Sequence, residues 1–105
     1  SSAWWARMFA ADARLVAAAA APDAAIPHLR IALATLEGIT APQTQTYYQR
    51  RLARVQLLLA RALTAAGIER SRVVELATAA RDWYRDAGGY DAAVAELDAL
   101  VTGSR

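Results

Sequence analysis

The chain has no cysteine and no lysine, a single histidine, one phenylalanine, three prolines and five glycines in 105 residues. Without cysteine there is no disulfide, no thiolate zinc site and no cysteine nucleophile. With His28 alone, a cluster of histidine ligands or a relay between two imidazoles is excluded. Nowhere do about 18 uncharged apolar residues follow one another, so no transmembrane helix is expected. The alanine run that ends at Pro22 follows Arg7, Asp12 and Arg14, charges that the apolar core of a signal peptide would not carry. No stretch alternates apolar and polar residues with period two, so no strand is expected. A formal charge of +2 is too small to argue for nucleic acid. No metal, cofactor, nucleic-acid or membrane partner is expected, and with no targeting signal the expected location is cytoplasmic.

What fills the chain instead is alanine, leucine and arginine, all strong helix formers. Alanine takes 28 positions and arginine supplies all twelve positive charges. That bias is what a GC-rich coding sequence gives, and it points to a bacterial source. Glycine and proline punctuate only a few places, and the segments between them carry apolar residues at steps of three and four. The pattern predicts an all-α fold with five helices. Helix 1 covers about residues 3–20, with Trp5, Phe9, Ala13 and Val16 on one face. Helix 2 runs from Asp23 or Ile26 to Glu37, with Asp23 as N-cap, Ile26, Leu29, Leu33 and Leu36 apolar, and Gly38 as the stop. A polar loop containing Pro42 follows over residues 40–45. Helix 3 covers about residues 46–66, with Tyr48, Leu52, Val55, Leu59, Ala62 and Ala66 in step, and Gly67 ends it. Helix 4 covers about residues 70–87, with Val73, Ala77, Ala80 and Tyr84 on one face. Helix 5 covers about residues 91–102, with Val94, Leu97, Leu100 and Val101 turned inward as a lid.

Shifting the chain by 47 residues lays helix 1 on helix 3: Arg7 falls on Arg54, Ala13 on Ala60 and Arg14 on Arg61. One further residue lays helix 2 on helix 4. The organisation read from this is a single domain, with a first helix pair over residues 1–39, a second over 44–88 and a capping helix over 90–102.

Most candidate chemistry has a plainer explanation. The carboxylates of helices 4 and 5, Glu75, Asp82, Asp86, Asp91, Glu96 and Asp98, are scattered, and nothing separates two of them into an acid and a base. His28 reads as a rim residue. Gly88 and Gly89 lack the strand and lysine of a phosphate loop, and no serine or threonine has a base beside it. No active site is expected. Arginines dominate residues 41–72, with six against the one acid Glu69, and acids dominate 73–105, with six against three. Rim pairing of helix 3 with helix 4 or 5 explains that for Arg50, Arg51, Arg70 and Arg72. Arg7 with Arg14, and Arg54 with Arg61, are spaced two turns apart in the same register of the repeat. Consecutive Trp4 and Trp5 point in different directions, so one is expected in the core and the other on the surface, where a second copy of the chain or a preceding repeat would cover it.

Small residues where paired helices cross, as in Ala25, Leu29, Ala32 and Leu33 of helix 2, and Leu59, Ala60, Leu63 and Gly67 of helix 3, resemble a tetratricopeptide repeat. The strings ARALTAAG, RVVELATAARDWYRDAGG and DAAVAELDAL look like the last repeat and terminal helix in the tails of bacterial eukaryotic-like Ser/Thr kinases and regulators. The resemblance implies a non-catalytic protein-binding module of a larger protein. Its concave groove would be lined by Arg54, Leu57, Arg61, Thr64 and Ala65, with Arg7, Ala10, Arg14 and Ala17 from the first unit. Such a groove would hold an acidic or C-terminal partner segment, since a guanidinium fork fits a carboxylate two-pronged. The alternative is a structural domain that self-associates, through Trp4 or Trp5, or packs against a catalytic neighbour such as a kinase domain.

Overall fold

The computed structural model describes residues 3–39 and 45–103. Five α-helices and no strand occur among them: α1 (Ala3–Ala20), α2 (Ala25–Glu37), α3 (Thr46–Ala66), α4 (Arg70–Ala87) and α5 (Asp91–Thr102). The all-α expectation holds, and the helices end where propensity and glycine placed them. The 40–45 loop expected around Pro42 lies outside the described residues, apart from Gln45. No helix among the described residues is long and apolar enough to cross a membrane.

The ends of the helices show how local chemistry works here. A 3-10 turn, Pro22–Ala24, leads into α2. It takes up Asp23, so the residue before α2 is Ala24, which offers no side-chain cap, and the expected Asp23 cap does not form. Gly67 closes α3 with a left-handed φ of 69°. Its N–H donates to the carbonyl of Thr64, and the N–H of Ile68 reaches the carbonyl of Leu63, the paired closure that leaves few carbonyls orphaned. Gly38 ends α2 differently, with φ −76° in the ordinary helical region.

The chain falls into two compact units, Ser1–Val55 and Gln56–Arg105, and the division lies inside α3 rather than between the expected helix pairs. In the first unit α1 packs along α2. Met8, Ala11 and Ala18 of α1 meet a core of Leu29, Leu33, Leu36 and Ile39. Tyr48 seals it from α3, its buried hydroxyl donating to the Leu36 carbonyl at 2.9 Å. In the second unit α4 packs along α5. Leu59 and Leu63 of α3, Val73, Leu76 and Ala77 of α4, and Leu97 of α5 are buried. Of the inward residues expected on α5, Leu97 is fully buried, while Val94, Leu100 and Val101 are half-buried.

Candidate interaction surfaces

The face expected to carry α1 inward is the face it turns to solvent. Trp5 is 47% exposed, Phe9 66% and Val16 71%, and Ala13 beside them is exposed as well. The buried side is Met8, Ala11 and Ala18, with Leu15 half-buried. α1 thus carries two apolar stripes, and the smaller residues pack. Small side chains let two helix axes approach more closely, so more neighbouring atoms come into contact.

Trp4 and Trp5 do not diverge as expected. Their rings stack on each other with centroids 4.0 Å apart. Both meet Tyr47 of α3 at 5.8 Å, Trp5 almost parallel to it. Phe9 continues the series 6.3 Å from Trp5. Trp4 is half-buried under this stack. The indoles are long enough to converge on one partner although their Cα–Cβ bonds point apart.

The outward residues of α1 have a seven-residue order. Ala6, Ala13 and Ala20 recur at one position, Phe9 and Val16 at the next outward one, and Ala10 and Ala17 beside those. All but the half-buried Ala17 are exposed, and none is charged.

The charges of α1 turn instead to their own unit. Asp12 pairs with Arg51 of α3. Arg14 donates to Nδ1 of His28 at 3.2 Å. One guanidinium nitrogen of Arg7 lies 2.8 Å from where a Cβ on Gly38 would be, at the C-terminal end of α2. A cation there favours the helix dipole.

In the second unit Arg61 forks onto Glu96 of α5, Nε to Oε2 at 2.7 Å and Nη2 to Oε1 at 2.8 Å. That hydrogen bond pushes the Arg61 guanidinium up from its ordinary range, against the lowering effect of burial. Arg81 and Arg85 of α4 converge on Asp98 at 3.2 and 3.3 Å. Arg70 donates to the carbonyls of Leu100 and, at 2.8 Å, of Val101, closing the C-terminal end of α5.

Of the expected groove residues, then, Arg7, Arg14 and Arg61 each meet a group of their own unit. Arg54, Thr64, Ala65 and Ala10 are exposed. Leu57 is 2% exposed. It is a core side chain rather than a groove-lining one, because the broad apolar arc of α3 buries both of its edges. A pair between helix 3 and helix 5 is made by Arg61, a residue expected in the groove rather than in rim pairing. Arg51 turns to α1, Arg70 to backbone carbonyls, and Arg72 to Glu75 one turn along its own helix. No group of three or more His, Asp or Glu side chains among the described residues is gathered to hold a metal ion.

The chain matches no family model, no curated protein and no solved structure.

Proposed function

We propose that the chain is a non-catalytic helical module that binds protein through the outer face of α1. The observation that carries this reading is the continuous uncharged surface from Trp5 through Phe9 and Ala13 to Val16, left in water while the charges of α1 turn to their own unit. Apolar side chains exposed singly need no explanation, but a row of them along one helix marks an interaction surface. A helix laid on that row would bury it in the helix-against-helix manner. This reading keeps the interaction role implied by the resemblance to tetratricopeptide repeats and moves it from an arginine-lined groove to an apolar helix face. The tail of a larger bacterial signalling protein would suit such a module.

The groove reading retains one favourable feature, the exposed Arg54. Arg61, however, would have to leave the Glu96 fork to take a partner's carboxylate, and a charge-assisted bond would be exchanged for another with little gain.

Three baits separate the two surfaces in capture from a lysate of the source organism: the wild-type chain, Phe9→Glu with Val16→Glu, and Arg54→Ala with Arg61→Ala. The α1 reading expects the glutamate pair to lose what the wild type captures and the alanine pair to keep it. The opposite pattern returns the function to the groove. His28→Ala is expected to leave capture unchanged in either case.

A further inference from the structure

We propose that the occupant of the α1 face is a second copy of the same chain, the two α1 helices packing antiparallel about a two-fold axis. This rests on the reading of that face as a binding surface and adds its partner.

Three observations select the occupant. The first is period. Residues 6–12 and 13–19 read Ala-Arg-Met-Phe-Ala-Ala-Asp and Ala-Arg-Leu-Val-Ala-Ala-Ala. The third and sixth positions, Met8 with Leu15 and Ala11 with Ala18, face the helix's own unit. The first, fourth and fifth face outward. A strict seven-residue repeat is what a helix keeps when another helix lies along it. One stripe of α1 serves α2, and the other has the order that a second helix of the same kind would match.

The second observation is charge. The stripe positions carry none; Arg7 and Arg14, exposed at its edge, reach Gly38 and His28 of their own unit, and Asp12 pairs with Arg51. Nothing on this face would select an acidic or a basic partner. An uncharged, small-and-large patterned helix is the complement, and α1 is one.

The third is self-complementarity. Reversed on itself about Ala11, α1 sets Phe9 against Ala13 of the other copy and Val16 against Ala6. Large side chains then meet small ones at every layer, as close packing requires. A parallel pair would instead stack Phe9 on Phe9 and Ala13 on Ala13, alternating crowded and empty layers. A two-fold contact needs the same patch on both copies, and the antiparallel order supplies it. The face extends about 25 Å along the helix. Its exposed side chains give a contact on the order of 1,000 Å² in total, at the low end for a specific interface.

Sedimentation of the wild-type chain from about 1 to 500 μM tests this. A monomer–dimer equilibrium with its midpoint in the micromolar range is expected, and Phe9→Glu with Val16→Glu should leave only monomer across that range. Ala13→Leu is the sharper variant. If the face were merely sticky, a larger apolar side chain would tighten the dimer. Against Phe9 of the other copy it should weaken it about tenfold or more. A wild-type chain that stays monomeric at 500 μM overturns the proposal, as does a dimer that survives the glutamate pair or one that Ala13→Leu strengthens.

Thermal melts of dilute, monomeric samples separate this failure from failure of the underlying reading. If the glutamate pair melts with the wild type, the face is open in the monomer, and only the identity of the occupant is at stake. If the pair melts several degrees lower, the chain covers the face itself and both ideas fall.

Discussion

The two units use the same residue types and finish their surfaces differently. Around α4 and α5, charge is neutralised locally: Arg61 forks onto Glu96, Arg81 and Arg85 share Asp98, and Arg70 closes the end of α5. Among the described residues of that unit, Ile68 is the exposed large apolar side chain. Around α1 and α2 Arg51 pairs with Asp12, and Trp5, Phe9, Val16 and Ile31 are exposed. The difference teaches where to look for function. A surface that pairs its own charges has little left to offer a partner, whereas an apolar row loses free energy to water until something covers it.

The largest test of the contrast is removal of α5 by ending the chain after Gly89. The truncation removes the fully buried Leu97 and the half-buried Val94, Leu100 and Val101 from the core of that unit. At roughly 1.5–3 kcal/mol for a fully buried aliphatic side chain, several kcal/mol should go. Urea melts of the two lengths measure it, and equal midpoints would show that α5 is no lid.

Next come neighbours on α1. Met8→Ala is expected to cost about 2–5 kcal/mol, since Met8 is 4% exposed. Phe9→Ala should change the stability of the monomer by no more than about 0.5 kcal/mol, as a surface substitution does. Similar losses for the two would mean that the outer face is covered after all, and the contrast between the units would collapse.

Tyr48→Phe removes the hydroxyl that donates to Leu36 and should cost about 1 kcal/mol at neutral pH. Burial, and then the nearby charge of Glu37, pushes the Tyr48 hydroxyl up from its ordinary value of 10.0. The folded state therefore holds this proton longer than the unfolded chain does. The contribution is fully present below pH 10, and stability falls as pH rises from there through the raised value. Melts between pH 9 and 11 should show a shallower alkaline decline in the phenylalanine variant. Parallel declines would place the alkaline sensitivity elsewhere.

The smallest effects pair two helix-ending glycines, one from each unit. Gly67→Ala places a side chain at φ 69° with open space around it, so only backbone strain counts, and a loss of about 1–2 kcal/mol is expected. Gly38→Ala sits at φ −76°, where alanine is at ease. Its one close neighbour is the flexible end of Arg7, which can swing aside. A gain of about 0.4–1 kcal/mol is expected from the less free unfolded chain. A loss at Gly38 in calorimetry would show that the Arg7 contact matters more than chain entropy.

These pairs also show what could be read from residues in order. Alanine, leucine and arginine between a few glycines specify where helices run, because propensity and end signals act within one or two turns. Faces of α2 and α4 were legible for a related reason: each has one apolar stripe, so Leu29, Leu33 and Leu36, or Val73, Ala77 and Ala80, had a single side to bury. The candidate site was not legible. Runs of arginine and acid along the chain suggested partners for helix 3, but the acid nearest in space to Arg51 is Asp12, from a helix more than thirty residues away.

What sequence by itself determined is therefore the five helices and the residues able to form a core. What only tertiary structure decided is which stripe of α1 is used. Met8, Ala11, Leu15 and Ala18 compete with Trp5, Phe9, Ala13 and Val16, and periodicity is satisfied by either. The outcome is set by fit: the slim stripe lets α1 lie close against α2, and the indoles of Trp4 and Trp5 gather on Tyr47 at the edge. The bulkier stripe remains outside because packing depends on the shape of the neighbour, which no single helix encodes.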